Sequence, residues 1–233
     1  MKHLRIVAYL IVALIAMGAL GFGAVPAHAA AGLTAGYAFD ESTGTTSTDA
    51  SGNGRTATLT NGPTWTPGVY GQALSFDGTN DYVSIPATLD VAALPFTLSL
   101  WVAPANYTDY GTLIAKRTTY NAANMRFGLL LDQGTGRVRL QSNISDLTFT
   151  YSPPLSSWTH LAIVFNTGNT QLYVNGVLQQ SLGALTLGSG ATAQMRLGNA
   201  PDGPDQYAGK LDEVRVYNRA LSASEITQVK AGN

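Results

Sequence analysis

The sequence contains no cysteine and few charged residues. Without cysteine the chain can have neither a disulfide framework nor a lipid-modified cysteine. Charged residues make up only 12% of the 233 positions, with 13 basic side chains against 14 acidic ones. Nucleic acid and anionic membranes are bound through clustered Lys and Arg side chains, and the sequence has no such cluster. The composition therefore predicts a protein that does not bind nucleic acid.

The first 29 residues differ in character from the rest of the chain. A short basic start precedes an apolar run over residues 6–25, and Ala27-His-Ala29 fits a small-residue cleavage site. This pattern predicts a secretory signal peptide over residues 1–29, cut after Ala29, and hence a secreted, extracellular protein. An uncleaved membrane anchor is the alternative, because the apolar run approaches the length of a membrane span. Residues 30–233 are long enough for one domain, and they contain no further segment that could span a membrane.

Short alternating runs separated by Gly, Asn, Asp and Pro dominate residues 30–233. From Phe96 to Val102, for example, apolar side chains occupy every second position, which is typical of a strand with one face in a core. Asn175-Gly176 is a strong hairpin turn signal. Only the segment from Ser222 to about Lys230 has a helical pattern, and Ser222 and Glu225 have the spacing of a capping box. The sequence therefore predicts an all-β fold, a two-sheet antiparallel jelly-roll sandwich with one short C-terminal helix.

Several separated motifs occur in a fixed order along this domain. They are Tyr37-Ala-Phe-Asp-Glu41, Asp49-Ala-Ser-Gly-Asn-Gly54, Gly71-Gln-Ala-Leu-Ser-Phe-Asp-Gly78, Asn80-Asp-Tyr-Val83, Phe96-Thr-Leu-Ser-Leu-Trp-Val102, Leu113-Ile-Ala-Lys116, Trp158-Thr-His-Leu-Ala-Ile-Val164, Leu172-Tyr-Val-Asn-Gly176 and the closing run Gly209-Lys-Leu-Asp-Glu-Val-Arg-Val-Tyr217. Their succession resembles the LamG-like (laminin G-like, concanavalin A-like) jelly-roll family. The resemblance covers nearly all of residues 30–233. It implies two antiparallel sheets packed face to face, often with a structural calcium ion, but no single activity, because this fold hosts lectins, adhesins and enzymes.

Asp212 lies in the middle of the predicted final strand. Regular strand alternation places Asp212, Val214 and Val216 on one face, and Glu213 and Arg215 on the other. The valine face is expected to point to the core, so Asp212 would be a carboxylate on the buried side. A buried carboxylate needs a hydrogen-bonding, cationic or metal partner.

A possible metal partner comes from the segment Asp49-Ala-Ser51-Gly-Asn53-Gly, which resembles the start of a calcium loop. The twelfth position of such a loop should be Glu but is Thr60, so a further negative charge must come from elsewhere. We predict a structural Ca²⁺ bound by the hard oxygen ligands of Asp49, Ser51 and Asn53, and by Asp212 if the final strand lies near this loop, as the family resemblance implies. Asp40 and Glu41 are possible additional ligands. The alternative is that Asp49 forms an Asx-type turn and Asp212 caps backbone amides.

Catalytic residues are scarce. Glycoside hydrolysis needs two cooperating carboxylates, but residues 30–233 contain only three Glu, namely Glu41, Glu213 and Glu225. Adjacent strand residues such as Asp212 and Glu213 are expected on opposite faces. His160, the only histidine after residue 29, is expected to be a partly buried strand residue, since no nucleophile motif accompanies it. The sequence therefore predicts that the protein is not an enzyme.

Four tyrosines in predicted loops are candidates for ligand binding: Tyr107, Tyr110, Tyr120 and Tyr207. An aromatic ring offers a sugar its apolar face, and nearby Asn, Asp and Arg can bind the hydroxyl groups. Each single tyrosine could instead cover its own strand ends. The leading prediction is a secreted, non-catalytic, carbohydrate-binding domain whose partner is a glycan. The alternatives are an adhesive domain that binds a cell-surface protein and, least favoured, a polysaccharide-degrading enzyme.

Overall fold

The computed structural model describes residues 31–89, 91, 93–119, 124–190, 193–203 and 205–232. Within them the chain forms sixteen β-strands and one helix. In chain order they are β1 (Leu33–Tyr37), β2 (Thr46–Ser47), β3 (Ala57–Thr60), β4 (Thr64–Pro67), β5 (Gln72–Asp77), β6 (Tyr82–Ile85), β7 (Phe96–Pro104), β8 (Gly111–Arg117), β9 (Met125–Leu131), β10 (Val138–Gln141), β11 (Asp146–Thr148), β12 (Thr159–Phe165), β13 (Asn169–Val174), β14 (Val177–Gly183), β15 (Met195–Leu197), β16 (Ala208–Tyr217) and α1 (Ala223–Lys230).

The strands form two antiparallel sheets of eight strands each. Sheet A has the order β14-β13-β12-β7-β16-β5-β4, with β1 paired to β16 beside this path. Sheet B has the order β11-β10-β9-β8-β15-β6-β3-β2. Half of the neighbouring strand pairs join strands that are not consecutive in the chain, as in a jelly roll. The predicted all-β sandwich with one short C-terminal helix is confirmed.

The main core lies between the two sheets. The apolar residues of the alternating β7 run, from Phe96 to Val102, are fully buried there. The ring of Phe96 stacks on that of Phe165 in the neighbouring strand, with centroids 4.0 Å apart, and also contacts Phe127 of sheet B, at 5.6 Å. These rings join the sheets because each strand directs every second side chain inward.

A second, smaller core lies on the outer face of sheet A, beneath α1. Ile226 and Val229 of the helix pack there against Ala162 and Tyr217 of the sheet. The helix begins at the cap that the sequence predicts: the Ser222 side chain accepts from the Glu225 amide, and the Glu225 carboxylate accepts from the Ser222 amide. Helix α1 thus seals one part of the outer surface of sheet A.

The final strand contains a β-bulge that corrects the predicted position of Asp212. Asp212 pairs with Trp101 and Arg215 pairs with Ser99, so two residues of β16 lie opposite one residue of β7. Glu213, within the bulge, has a left-handed φ of 50°. The extra residue reverses the alternation. Val214 and Val216 therefore face the core, whereas Asp212 lies on the outer face of sheet A, and the prediction that it shares a face with Val214 is wrong.

Among the described residues no helix is both long and apolar enough to cross a membrane. The predicted signal peptide, residues 1–29, lies outside the described residues, as does Tyr120.

Candidate functional site

The outer face of sheet B carries small and polar side chains in its central strands. One row of paired positions runs across five strands, and its members, from β10 to β6, are Gln141, Gly128, Ala115, Arg196 and Ser84. This row lies on the face of sheet B opposite the core, where the side chain of Gln141 covers Gly128.

A cleft of about 320 Å³ occupies one end of this face. Its lining residues come from β8, β9, β10, the segment before β8 and the loop that precedes β16, and they are Tyr110, Arg117, Leu130, Arg139, Gln141, Asp202, Gly203 and Asp205. The volume lies within the range of small-molecule sites. The lining combines one aromatic ring and one aliphatic side chain with amide, guanidinium and carboxylate groups, which is a composition suited to a polar organic ligand.

Arg117 fixes the loop that forms one wall of the cleft. Its Nε lies 2.8 Å from a carboxylate oxygen of Asp202, and one terminal nitrogen lies 2.5 Å from a carboxylate oxygen of Asp205. The Arg117 side chain is only 2% exposed. Charge-assisted hydrogen bonds to a guanidinium are strong and directional when they are buried. The two ion pairs therefore hold the loop at a defined position over the sheet.

Arg139 occupies the opposite side of the cleft. Its terminal nitrogens bind Asp146 at 2.6 Å and Asp132 at 3.2 Å, and its guanidinium lies 5.8 Å from the ring centroid of Tyr110. Burial lowers the pKa of Arg139, but the hydrogen bonds to both carboxylates outweigh burial and raise the pKa above its ordinary value. Arg139 is thus a fixed cation that supports the ring of Tyr110.

Two polar atoms beside the cleft lack hydrogen-bond partners. Thr112, Leu130 and Arg139 form one row on this face of sheet B. The hydroxyl of Thr112 and the Nε of Arg139, on either side of Leu130, are buried without a partner among the described residues. Buried polar atoms in native proteins are almost always hydrogen-bonded, to protein, water or ligand. Both atoms are buried beneath the surface, so a molecule in the cleft does not contact them in this conformation.

The predicted tyrosines have different positions. Tyr110 is 38% exposed and lines the cleft, as a ligand-binding side chain should. Tyr107 is half-buried, and its hydroxyl donates to the carbonyl of Pro153, so it ties two loops together. Tyr207 is 1% exposed, packs on Phe76 in the core and donates to the carbonyl of Lys210, so its ring is not available to a ligand.

Asp49 binds backbone amides of its own loop and of β1. Its carboxylate accepts hydrogen bonds from the amides of Gly36, Ser51 and Arg55, at 3.0, 2.9 and 3.1 Å. Burial alone would raise the pKa of Asp49, but the hydrogen bonds outweigh burial and hold the pKa below its ordinary value. The Ser51 hydroxyl accepts from the side chain of Asn53, at 3.0 Å. Asp49, Ser51 and Asn53 therefore lie together, in a hydrogen-bonded turn.

Asp212 binds the amides of a different loop. One of its oxygens accepts from Val69 and Tyr70 in the β4–β5 hairpin, at 2.7 and 3.2 Å, and the other is buried without a partner among the described residues. Asp49 and Asp212 thus both accept hydrogen bonds from backbone amides, which is the arrangement expected from the alternative to calcium binding. No group of three or more His, Cys, Asp or Glu side chains that could hold a metal occurs in the described part of the chain. Calcium binding stays a prediction.

A serine–histidine pair lies elsewhere, on the outer face of sheet A. The Ser99 hydroxyl is 2.9 Å from the Nε2 of His160, but each residue is only 1% exposed. Burial, together with Arg215 and Lys230, lowers the pKa of His160 to about 3. Asp212 and Glu213 also share this region because of the bulge, contrary to the predicted opposite faces, and they are 0% and 8% exposed. A substrate cannot reach these groups in this conformation.

Sequence reasoning missed most residues of the cleft. The alternation of Val138 and Leu140 with Arg139 and Gln141 already indicates that the two polar residues share the outer face. Nothing local indicates that Arg117 meets the loop 201–206, because that contact joins positions 85 and 88 residues apart. Only the pairing of the strands brings these parts together.

Solved structures with the same fold include sugar-binding domains. Domain 4 of AbnA, a GH43 extracellular arabinanase from Geobacillus stearothermophilus, solved in complex with arabinotriose, is 26% identical, with a TM-score of 0.68 over 85% of this chain and 98% of that one. The botulinum neurotoxin serotype D ligand binding domain, in complex with N-acetylneuraminic acid, is 16% identical with a TM-score of 0.66, covering 87% of this chain and 51% of that one. At that identity the toxin domain supports the fold alone.

Sequence comparison agrees with the structural comparison. The chain is 25% identical, over 183 residues, to the adhesion G-protein coupled receptor V1 of Danio rerio; the match covers 70% of this chain and spans 3% of the receptor. The family model of the concanavalin A-like lectin/glucanases superfamily matches residues 77–227, which is more than half of the chain. The chain therefore belongs to the concanavalin A-like lectin/glucanases superfamily.

Proposed function

We propose that this protein is a secreted, non-catalytic domain that binds a glycan in the cleft of sheet B. The observation that carries the proposal is the cleft itself: a depression of about 320 Å³ with an exposed tyrosine ring on one side and fixed polar groups around it. Sugar rings present apolar faces to aromatic side chains and hydroxyls to amide, guanidinium and carboxylate groups.

Each part of the cleft has a distinct task in glycan binding. The ring of Tyr110 provides the stacking surface, and Arg139 keeps it in place. Gln141 supplies a side-chain amide, and Asp205 supplies a carboxylate with unused acceptor positions. Because the arginines are held by ion pairs, the binding groups are positioned before the ligand arrives, which reduces the entropy lost on binding. The arabinotriose complex of AbnA domain 4 supports a sugar as ligand.

The carboxylates of the cleft support a non-catalytic role. Glycoside hydrolysis needs one carboxyl group as a proton donor and a second as nucleophile or base. Here Asp202 and Asp205 bind one guanidinium, and Asp132 and Asp146 bind another. Each of the four carboxylates is thus already bound to a guanidinium. The four carboxylates serve to position arginines.

Export places the domain where extracellular glycans occur. The basic start, the apolar run over 6–25 and Ala27-His-Ala29 form the proposed signal peptide. The extracellular arabinanase and the adhesion receptor among the similar proteins support the same location. N-terminal sequencing of the protein recovered from the medium of an expressing bacterium should begin at Ala30; a start at Met1 in a membrane fraction would overturn the assignment of residues 1–29.

The binding proposal is tested on a glycan array, followed by calorimetric titration of the best ligand. Tyr110→Ala and Arg139→Gln are each expected to weaken binding by about tenfold or more, since each removes a stacking or hydrogen-bonding partner worth 1–2 kcal/mol. Leu178→Ala is the matched control, because Leu178 is 47% exposed on β14, the edge strand of sheet A. Equal loss of affinity in the control, or unchanged affinity in both cleft variants, would place the glycan elsewhere.

A protein-binding, adhesive function is the second candidate. The 25% identity to an adhesion receptor supports it. The same array separates the two functions: silence across all glycans, together with capture of a defined cell-surface protein that Tyr110→Ala abolishes, would favour the adhesive function.

A further inference from the structure

We propose that the cleft of sheet B selects uncharged glycans and rejects acidic ones such as sialic acids and uronic acids. This inference rests on the proposed glycan-binding function and names the class of ligand. It depends on the arrangement of six charged side chains around the cleft and on the hydrogen bonds that each arginine already makes.

The charged side chains that line the cleft, counted together with their ion-pair partners behind it, sum to a negative value. The cations Arg117 and Arg139 line it. Each is held by two carboxylates, and the four partners are Asp132, Asp146, Asp202 and Asp205. Two positive charges against four negative ones produce a local potential that repels an anion. A cleft built for a carboxylate sugar would carry the opposite balance.

The donors that normally bind a sugar carboxylate are also occupied. A guanidinium recognises a carboxylate through two parallel N–H groups. In Arg117, Nε binds Asp202 and a terminal nitrogen binds Asp205, and in Arg139 both terminal nitrogens bind carboxylates. An acidic ligand would have to displace one of these partners, leaving a buried or half-buried carboxylate without its cation, which is costly.

A neutral sugar meets no such obstacle. An ionised carboxylate has about four acceptor positions, and one guanidinium nitrogen uses one of them. Hydroxyl groups of a sugar can donate to remaining positions on Asp146 and Asp205, which are 37% and 18% exposed. The acceptor-rich lining thus matches a ligand rich in hydroxyl donors.

The experiment compares ligands that differ in charge alone. Sialyllactose is matched with its methyl ester, tri-galacturonate is matched with its methyl ester, and arabinotriose is added as a neutral probe. Affinities are measured by calorimetry at about 50 mM and again at about 500 mM salt, because screening reveals charge effects. We expect neutral probes to bind with little dependence on salt, and each acidic probe to bind about tenfold or more weakly than its neutral partner at low salt.

A charge-removing variant gives an independent check. Asp146→Asn removes one carboxylate from Arg139 and is expected to improve binding of the acidic probes at low salt by about threefold or more. Asp77→Asn, at the end of β5 in sheet A, removes one negative charge outside the cleft. It should leave the affinities for acidic and for neutral probes unchanged. Acidic probes that bind as tightly as their neutral partners would overturn charge selection while leaving glycan binding intact. If no glycan in a broad array binds, both proposals fail.

Discussion

Asp212 accepts a hydrogen bond from the backbone amide of Val69 at 2.7 Å, across 143 positions of sequence. Through this bond the last strand holds the β4–β5 hairpin against the outer face of sheet A. The same hairpin reaches α1, because the hydroxyl of Tyr70 donates to the carbonyl of Lys230 at 2.9 Å. The Asp212 carboxylate therefore joins the last strand to the hairpin, and the Tyr70 hydroxyl joins the hairpin to α1.

Asp212 is expected to make stability fall as pH rises. Burial, the largest effect, raises its pKa to about 7, although the amides of Val69 and Tyr70 oppose the shift. Between pH 4 and 7 the folded protein holds a proton that the unfolded chain releases, so the free energy of unfolding decreases as pH rises and is constant above pH 7. Chemical denaturation at pH 4.5, 6 and 8 measures the free energy of unfolding of the wild type and of Asp212→Asn. Between pH 4.5 and 8 this free energy should fall by at least ~1 kcal/mol more in the wild type than in the variant.

The Asn variant is the control for the carboxylate, since its amide oxygen can still accept from Val69. Asp212→Ala removes the acceptor and should cost about 2–4 kcal/mol at every pH, because the Val69 and Tyr70 amides lose their partner. A parallel pH dependence in wild type and Asp212→Asn would contradict a titrating Asp212.

His160 is expected to have the opposite pH dependence. Burial, aided by Arg215 and Lys230, lowers its pKa to about 3, so the folded protein keeps it neutral. The unfolded chain binds a proton near pH 6.5, and stability is therefore lost as pH falls from 6.5 towards 3. In His160→Gln this loss should be smaller, as measured by urea unfolding at pH 7, 5 and 4. If the two proteins lose the same stability on acidification, His160 is not the group responsible.

Gly68 is required by the close approach of the β4–β5 hairpin to β16. A Cβ at this position would lie 2.5 Å from the carbonyl oxygen of Gln72 and 2.6 Å from a carboxylate oxygen of Asp212. Gly68→Ala should therefore lower the free energy of unfolding by about 1–3 kcal/mol. Gly168→Ala is the matched control, since nothing lies within 4 Å of its Cβ position. Equal thermal midpoints for the two variants would show that the hairpin can move away without cost.

The predicted calcium ion is tested by thermal unfolding with and without chelator. A Ca²⁺ bound by Asp49, Ser51, Asn53 and Asp212 stabilises the folded state by RT ln(1 + [Ca²⁺]/Kd), so EDTA should lower the melting temperature and added calcium should restore it. Magnesium at the same concentration is the control for ionic strength. An unchanged melting curve would leave Asp49 and Asp212 with only their amide-binding roles.

The local pattern was sufficient for the strands and for the helix cap. Phe96–Val102 alternates, and that run is a buried strand in the structure. Ser222 and Glu225 have the spacing of a capping box, and both of its hydrogen bonds are present. These features depend on residues within a few positions of one another, so their physical cause is visible in the sequence.

The local sequence pattern could not predict on which face of sheet A Asp212 lies. Strand alternation assumes one residue opposite each partner, whereas the bulge places two residues of β16 opposite one of β7. Its cause is long-range: Asp212 reaches the amides of a hairpin that is more than 140 residues away in the chain. Tyr207 is buried in the core whereas Tyr110 is exposed, and the local sequence does not distinguish them, because the packing of the two sheets decides which ring is buried.

The sequence by itself determined the all-β class and the family resemblance, and it included Tyr110 among four candidate tyrosines. Each follows from composition, short-range alternation or an ordered set of motifs. The tertiary structure alone decided that Arg117 meets the 201–206 loop, that Arg139 supports Tyr110, and that Asp212 binds the hairpin. The physical reason is that half of the neighbouring strand pairs in this jelly roll join strands that are not consecutive in the chain, so these groups meet only after the sheets have formed.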